Sequence, residues 1–415
     1  MKILMITPYV TISGRKEFER NKTGFGYMVY DIAKAVANIE QVDLFATWTR
    51  GESFDSEKIH FHARSFCLFL LSIFRCVNLR VLFKVLRKYT GSWGTRLRFI
   101  YSWLITGYLD KIIEQGKYDV VHIHGCIITD ELWMNICKRR NVKFIVTLHG
   151  LNSFSETVKL ESAGKLYERD FLKRVTEDEF QITVISTGMK RLIEQTYDQN
   201  NCRSISVVCN SFNFPAKYDI VNIKQLLSLP AICRIIVCVG NVCERKNQGQ
   251  LIRAFDLMPE YIKQQTYILF LGGNIQPEYT VAKLSADSTW KSHFITCGVV
   301  SREIVSNYYE QCEAVALMSL SEGFGLSLIE GMHFGKPCMS FTDVDAYDDI
   351  YTPEAMIGVE DHSDESVAKG IEALLCNQWN KKDIINYSKK FDSLNMAKQY
   401  ISVYEKITNR SSKTL

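Results

Sequence analysis

The chain has 415 residues, which is enough for two or three domains of ordinary size. Its formal net charge of +4 is too small to indicate nucleic acid binding, and a composition that is 47% hydrophobic and 23% charged is typical of a globular enzyme. The 13 cysteines include no C-x-x-C pair, so they predict reduced, mostly buried thiols of a cytosolic protein rather than disulfides or a zinc site.

The first predicted element is a strand over Lys2 to Thr7, which Pro8 closes. This apolar start is only a strand long and lacks the cleavage region of a signal peptide. Nowhere does an uninterrupted apolar run reach the roughly 18 residues that a membrane span requires. We therefore expect neither a secretory signal nor a transmembrane helix.

A polar stretch that contains Gly24 and Gly26 follows, and the apolar spacing of Tyr27 to Ala37 predicts a helix. A strand, a glycine loop and a helix in this order outline a phosphate cradle, because backbone N–H groups at a helix start can receive an anion. A flexible loop before an ordinary helix is the alternative interpretation. Gln41 to Ala46 predicts a second strand.

Residues 58–109 have an unusual composition, with nine Lys or Arg residues and no Asp or Glu. The basic residues alternate with large apolar side chains, among them Phe83, Trp93 and Tyr101. Basic residues, aromatics and helical apolar spacing are typical of a segment that lies on an anionic membrane surface. The alternative is a buried helix pair whose Lys and Arg side chains extend to water.

Two strands of the first half end in a His-Gly pair: Tyr118 to His124 and Lys143 to His149. Ligands of open α/β sheets bind at the carboxyl ends of strands, so His124 and His149 are candidate site residues. His122 lies two positions before His124 and therefore shares its face of the sheet. A purely structural role for these histidines is the alternative.

Gln181 to Ser186 and Ser204 to Asn210 predict further strands, with a helix over Thr187 to Tyr197 between them. The polar, proline-containing stretch Ser211 to Pro230 then separates two α/β patterns. We expect the domain boundary in this stretch.

The second half opens with a strand over Arg234 to Gly240 and a helix over Leu251 to Met258. Arg245, Lys246 and Asn247 lie between them, just before the helix. The helix dipole disfavours cations there unless an anion binds as well, so the pair indicates a site for a group such as a diphosphate. A solvated charge pair is the alternative. Further strands are expected over residues 266–272 and 293–299.

The sequence Ser321 to Gly331 joins a buried strand over Ala314 to Met318 to a helix over Leu326 to Phe334. Glu322 is predicted in the connecting loop and Glu330 about one turn inside the helix. Gly323 and Gly325 let the backbone approach a ligand closely, and the N–H groups that open the helix can receive an anion. Cys338 to Phe341 predicts a strand, and the acidic loop over residues 343–349 matches no calcium-binding spacing, so we expect it to be solvated.

Two glutamates eight positions apart around Gly-Phe-Gly-Leu, followed by Gly-Lys-Pro, resemble the E-x7-E motif of retaining family 4 glycosyltransferases. The resemblance implies that Glu330 holds the ribose of a nucleotide sugar and that Glu322 lies beside the donor sugar. It also implies that backbone N–H groups of Phe324, Gly325 and Leu326 meet the sugar and the diphosphate. It also matches the six-residue spacing from Gly240 to Lys246, but Asn241 stands where the family commonly has Arg. Arg245 is expected to supply that guanidinium.

The same resemblance implies that Gly24 and Gly26 approach the donor phosphates and that His124 and His149 line the cleft. It implies an α/β GT-B fold, with two Rossmann-like, doubly wound domains facing a cleft and a C-terminal helix that crosses back to the first domain. The alternating strand and helix patterns agree with doubly wound sheets. The expected domains are an acceptor-binding domain, residues 1–212 with about 390–415, and a donor-binding domain, residues 213–389.

The implied activity is retaining transfer of a sugar from a nucleotide-diphospho-sugar to a hydroxyl of a polysaccharide or lipid-linked oligosaccharide, in the synthesis of lipopolysaccharide or capsule. No cofactor, metal or nucleic acid partner is expected. The protein would be cytoplasmic and peripheral on the inner face of the plasma membrane. Two alternatives remain, a GT-B nucleotide-sugar epimerase and a non-catalytic GT-B scaffold.

Overall fold

The computed structural model describes residues 1–19, 23–64, 79–154, 162–177, 180–197, 204–214 and 218–409. The chain divides into two compact units. The first comprises Met1–Ile185, Met189–Cys209 and the C-terminal residues from Ser393 onward, and the second comprises Ser186–Gly188 and Asn210–Asp392.

The first unit is built on an eight-stranded sheet in the order β3-β4-β2-β1-β5-β6-β7-β8. All neighbouring pairs are parallel except β3 and β4. Because β1 lies between β2 and β5, the strand order reverses there, and this is the point of a doubly wound sheet where ligands bind. The strands are β1 (Lys2–Thr7), β2 (Gln41–Arg50), β3 (Phe54–Ser56), β4 (Ile59–Arg64), β5 (Val120–His124), β6 (Lys143–Leu148), β7 (Gln181–Val184) and β8 (Ile205–Val207).

Seven helices precede or connect these strands within the described residues. They are α1 (Gly24–Ala37), α2 (Leu79–Lys88), α3 (Trp93–Leu104), α4 (Thr106–Gly116), α5 (Asp130–Arg140), α6 (Ser162–Thr176) and α7 (Thr187–Thr196).

Two expectations for this unit are corrected. The predicted glycine loop belongs to α1, because the Thr23 side chain caps the helix by accepting a hydrogen bond from the Gly26 N–H at 3.2 Å. The stretch from residue 58 begins with strand β4 rather than a helix, since Ile59, Phe61 and Ala63 alternate as buried residues with a period of two. Residues 65–78 of that stretch lie outside the described residues.

The second unit has a six-stranded parallel sheet in the order β11-β10-β9-β12-β13-β14. Its strands are almost continuously apolar because helices cover both faces of a parallel sheet. They are β9 (Arg234–Val239), β10 (Thr266–Leu271), β11 (Phe294–Gly298), β12 (Ala314–Leu317), β13 (Cys338–Phe341) and β14 (Met356–Val359).

The helices of the second unit include several of a single turn. They are α8 (Ile223–Leu226), α9 (Gln248–Leu257), α10 (Glu260–Lys263), α11 (Val281–Leu284), α12 (Arg302–Gln311), α13 (Leu326–His333), α14 (Tyr347–Ile350), α15 (Asp364–Cys376) and α16 (Lys381–Ser388). The two parallel-sheet α/β units confirm the predicted fold class.

The last helix, α17 (Ser393–Asn409), groups with the first unit and packs on α1. Its buried face includes Tyr400 and Tyr404, whose rings approach the His122 ring at centroid distances of 5.1 and 5.6 Å. Among the described residues, none of the helices combines the length and the apolar character needed to cross a membrane.

Candidate active site

The candidate donor site lies in the second unit, where β9 pairs with β10 on one side and β12 on the other. The strand order reverses at this position, so the segments that follow β9 and β12 meet at the carboxyl edge of the sheet. Two hydrogen bonds join them: the Leu320 N–H donates to the Arg245 carbonyl at 2.9 Å, and Arg245 Nη1 donates to the Ser321 carbonyl at 2.6 Å. The sequence therefore brings together residues that are more than seventy positions apart.

A group of three charged side chains forms the centre of this site. Lys246 Nζ makes an ion pair and hydrogen bond with Glu322 Oε2, Arg245 Nη1 lies 3.6 Å from the same oxygen, and Ser319 Oγ donates to it at 3.3 Å. The side chains of Lys246 and Glu322 are only 13% and 17% exposed. Burial acts to raise the pKa of Glu322, but the charges of Lys246 and Arg245 outweigh it and lower that pKa. Glu322 is therefore a carboxylate near neutral pH, suited to accept hydrogen bonds from hydroxyl groups.

Two glycines shape the backbone around this group. Gly325 precedes α13 with a φ of +82°, a left-handed conformation that favours glycine. Gly240 follows β9 with a φ of +146°, and a Cβ built on it would lie 3.2 Å from Lys246 Cε. Glycine at position 240 therefore leaves the space through which the lysine side chain reaches Glu322.

We expect Gly240→Ala to destabilise the second unit by about 1–3 kcal/mol, because alanine would hold a strained φ and press on the Lys246 side chain. Urea unfolding would measure this loss. The control is Gly91→Ala, since Gly91 has no positive φ and only one neighbouring atom, at 4.0 Å. Equal stability of the two variants would contradict the packing described for Gly240.

Glu330 is half-buried in α13, one turn after the helix begins. Tyr309 of α12 is fully buried, and its hydroxyl donates to Glu330 Oε2 at 2.7 Å. This contact fixes the direction of the carboxylate. This contact could not be predicted, because nothing in the pattern of α12 distinguishes Tyr309 from an ordinary buried aromatic residue.

The other predicted donor-binding residues of the second unit are Gly323, Phe324, Leu326 and Asn247. Gly323 and Leu326 are half-buried next to Glu322 and Gly325, where only their backbone or apolar atoms can serve a ligand. Phe324 is buried with its ring 5.9 Å from that of Phe391, so its side chain anchors the loop. Asn247 has a φ of +54°, and its amide donates to Gln250 Oε1 at 2.5 Å, so it stabilises the turn before α9.

Asp345 was missed as a candidate because the acidic loop after β13 was expected to be solvated. Asp345 is half-buried between Val344 and Ala346, which are both buried. Burial and the nearby charge of Glu322 raise the pKa of Asp345 to about 6. Its position after the strand next to β12 could have marked it, since such strand ends line ligand sites.

In the first unit, His124 ends β5, which is next to β1 in the sheet, and His149 follows β6, the next strand along. His124 Nδ1 is 3.2 Å from His149 Nε2, and the Phe25 ring meets the His149 ring edge-on at 5.1 Å. His122 has both nitrogens engaged, Nδ1 with the Tyr404 hydroxyl at 2.7 Å and Nε2 with Thr147 Oγ1 at 2.6 Å. His122 is therefore a structural residue.

All three histidines are neutral in their surroundings. Burial lowers the pKa of His122 to about 3 and that of His149 to about 4, and burial together with the neighbouring histidines lowers the pKa of His124 well below its ordinary value. His124 Nε2 is buried and has no hydrogen-bond partner within the part of the chain that the structure describes. The neutral imidazole can still donate or accept one hydrogen bond at this nitrogen.

Gly24 and Gly26 lie in the first turn of α1. Phe25, the residue between them, contacts the His149 ring. A Cβ on Gly26 would lie 2.3 Å from Thr11 Oγ1, and the Thr11 N–H donates to the Gly26 carbonyl at 3.1 Å. Gly26 thus permits the segment after β1 to pack against the helix. Gly24 has open space around it, and its N–H is at a helix start, where an anion can bind.

The described residues contain no group of three or more His, Cys, Asp or Glu side chains that could hold a metal ion.

Two family models match the chain. The model for glycosyl transferases group 1 matches residues 223–391, and the model for glycosyltransferase family 4 matches residues 23–213. One curated relative is an uncharacterized glycosyltransferase of Methanocaldococcus jannaschii, 23% identical over 315 residues, which are 71% of this chain and 77% of the relative. Another is the alpha-monoglucosyldiacylglycerol synthase of Acholeplasma laidlawii, 21% identical over 255 residues, which are 57% of this chain and 60% of that protein.

Similarity to solved structures extends over the whole chain. A protein of Anabaena crystallised with UDP-glucose matches with a TM-score of 0.67 and 14% identity, and the match covers 100% of both chains. At this identity the similarity shows a shared fold.

Proposed function

Because the chain belongs to the group 1 and family 4 glycosyltransferases, which have the GT-B fold, we propose that it transfers a sugar from a nucleotide-diphospho-sugar to an acceptor hydroxyl with retention of configuration. The observation that carries this proposal is the contact of Lys246 and Arg245 with Glu322 at the carboxyl edge of the second sheet. A second carboxylate supports the proposal: Glu330 lies eight residues after Glu322 and accepts a hydrogen bond from the Tyr309 hydroxyl.

Each of these groups has a role in donor binding. Lys246 and Arg245 stabilise the charge that develops on the diphosphate as the glycosidic bond breaks. Glu322 positions the donor sugar by accepting hydrogen bonds from its hydroxyls, and Glu330 accepts those of the ribose. The UDP-glucose bound by the Anabaena protein makes UDP the first nucleotide to test.

Retention follows in this proposal from attack on the same face that the leaving group departs from. The bond from the anomeric carbon to the phosphate oxygen breaks, a bond to the acceptor oxygen forms, and the acceptor proton passes to the leaving phosphate. The lowered pKa of Glu322 supports a positioning role, because a carboxylate bonded to two cations is a poor nucleophile. Two cations next to the diphosphate are also consistent with a reaction that needs no metal.

We further propose that His124 or His149 contacts the sugar or the acceptor, and that the acceptor is a polysaccharide or lipid-linked oligosaccharide of the cell surface. The named product of the Acholeplasma relative, a glucosyl diacylglycerol, supports an acceptor at a membrane. The basic composition of residues 58–109 supports a peripheral location on the cytoplasmic face of the membrane.

Thermal-shift titration with UDP, GDP, ADP and CMP, each with and without magnesium, tests the donor site. One diphosphate is expected to raise the melting temperature, since a ligand at about 100 times its Kd stabilises a protein by about 2.7 kcal/mol. Glu330→Ala should abolish the shift, and Tyr309→Phe should reduce it, because the phenylalanine frees the carboxylate without removing it.

The control is Glu365→Ala, an exposed glutamate in the first turn of α15. Folded protein that responds to no nucleotide would contradict the transferase proposal and favour a scaffold. Nucleotide binding followed by release of free sugar, with no acceptor consumed, would favour an epimerase.

A further inference from the structure

Helices α2 and α3 expose large apolar side chains in unusual number. Trp93 is 76% exposed, Phe83 65% and Leu97 62%. We define the outer face of α2 and α3 by these residues together with Leu79 and Tyr101, which are also exposed. Single exposed apolar residues are normal in soluble proteins, but a group of five on two consecutive helices indicates an interaction site.

The spacing of these residues places them along single stripes. On α3, Trp93, Leu97 and Tyr101 follow one another at intervals of four and so lie on one side of the helix, whereas Phe99 is buried. On α2, Leu79 and Phe83 are four apart, and the buried residues of that helix are Val81, Leu82 and Val85. Each helix therefore packs on the first unit through one side and presents a second apolar stripe outward.

The charged side chains that α2 and α3 themselves carry are all positive. Lys84 and Lys88 make ion pairs with Glu131 and Asp170 of the first unit, at 3.5 and 2.7 Å. The exposed residues Arg80, Arg87 and Arg98 lie close to the apolar stripes in sequence, and the segment from residue 58 to residue 109 has no acidic residue. The Arg96 guanidinium lies 5.4 Å from the Trp93 ring centre, which leaves the ring largely exposed.

We propose that the outer face of α2 and α3 docks on an anionic lipid bilayer. Phe83, Trp93, Leu97 and Tyr101 enter the headgroup region, where aromatic and aliphatic side chains of amphipathic helices insert, and Arg80, Arg87 and Arg98 contact lipid phosphates. The docking deepens the proposed function, because it would hold the enzyme where a lipid-linked acceptor is found. Binding to lipid does not itself require transferase activity.

Charge favours a lipid surface over a second copy of the chain. In a two-fold dimer formed through this face, the same arginines would meet across the interface, with no acid of the segment to neutralise them. An anionic bilayer neutralises them, and each basic residue near such a surface strengthens binding by roughly fivefold.

The experiment is vesicle co-sedimentation of the full chain. One set of vesicles contains phosphatidylglycerol in phosphatidylcholine, and the other contains phosphatidylcholine alone. Wild type is expected to bind the anionic vesicles, and added salt should weaken that binding. Trp93→Ala with Leu97→Ala should lower the partition coefficient by roughly tenfold or more, and Arg80→Gln with Arg87→Gln should lower it by roughly twenty-five-fold.

Two matched control pairs lie in the second unit. Ile220→Ala with Ile232→Ala removes two isoleucines that are 92% and 90% exposed, and Lys369→Gln with Lys382→Gln removes two exposed positive charges. Both controls should bind vesicles like the wild type. Nucleotide thermal shifts of every variant report that it is folded, and they do so separately from vesicle binding, which needs no substrate.

Failure of the wild type to bind anionic vesicles would overturn the proposal, whatever the nucleotide response. An equal loss in the matched controls would also overturn it, because the effect would then come from general hydrophobicity or charge. A dimer in sedimentation velocity would also overturn the proposal, if wild type binds no vesicles and Trp93→Ala with Leu97→Ala abolishes the dimer.

Discussion

Lys246→Met is expected to lower kcat/KM for the nucleotide-sugar donor by about a hundred- to a thousandfold, the usual effect of removing one group that stabilises charge in a transition state. Lys246 is the cation that makes the closest contact with Glu322, and only 13% of its side chain is exposed. In the proposed reaction, such a buried cation would stabilise the leaving diphosphate with little screening by water. Release of the nucleoside diphosphate from the donor would measure the rate.

The same substitution also removes the main partner of the Glu322 carboxylate. We expect it to lower the free energy of unfolding by about 1–3 kcal/mol, the cost of leaving a mostly buried polar group without its partner. In the double variant Lys246→Met with Glu322→Gln the unpaired charge is gone, so the free energy of unfolding should return toward that of wild type. This recovery identifies the unpaired carboxylate as the cause of the destabilisation. The catalytic role of Lys246 is measured by the rate of the single variant under conditions where it is folded.

Lys369→Met serves as the control for Lys246→Met, because it removes an exposed lysine of the same unit. It should leave both the rate and the unfolding transition unchanged. If Lys246→Met retained wild-type kcat/KM while binding the nucleotide normally, the role of Lys246 on the leaving diphosphate would be wrong.

The sequence was sufficient to predict most of the fold, because its strands and helices have strong periodic patterns. The strand over Arg234–Val239 and the helix over Leu326–His333 lie within two residues of their predicted bounds. The family resemblance is confirmed by the two family models, of which the one over residues 223–391 includes the motif between Glu322 and Glu330. The GT-B fold follows from the same findings.

Contacts between residues that are far apart in the chain could not be predicted from the sequence. The pairing of Lys246 with Glu322 spans 76 residues, and its strength depends on the packing that buries both side chains. The bond from Tyr309 to Glu330 and the raised pKa of Asp345 have the same origin. Burial and neighbouring charge set these properties, and neither can be read from local spacing.

Two predictions for the first unit were wrong, the element at residues 59–63 and the start of α1, and only the first of these errors was avoidable. The sequence Ile-His-Phe-His-Ala over residues 59–63 alternates strictly and indicates strand β4, but the surrounding basic composition obscured this pattern. The inclusion of Gly24 and Gly26 in α1 was harder to predict, because glycine has low helix propensity and tertiary contact with Thr11 decides the outcome.

Acid is expected to destabilise the first unit from about pH 6.5 downward, through its buried histidines. In the unfolded chain a histidine binds a proton near pH 6.5, whereas the folded pKa values of His122 and His149 are about 3 and about 4. Between these limits the unfolded state binds more protons than the folded state, so the free energy of unfolding falls as pH falls. Above pH 6.5 both states are neutral, and these groups contribute no pH dependence.

The expected loss between pH 7 and pH 5 is about 2 kcal/mol for each buried histidine, since each pH unit below the unfolded pKa costs about 1.4 kcal/mol. His149→Asn removes one of these groups, and its loss over the same interval should be smaller than that of wild type by about 2 kcal/mol. Urea unfolding at the two pH values, followed by circular dichroism, gives both slopes. Carboxylates with a raised folded pKa, such as Asp345, take up protons in the folded state over this interval and so oppose the histidine effect. They contribute equally to wild type and to His149→Asn, so they cancel in the comparison of the two proteins. A wild-type slope that His149→Asn leaves unchanged would mean that His149 is already protonated in the folded protein, and the neutral pair with His124 at the ends of β5 and β6 would then be wrong.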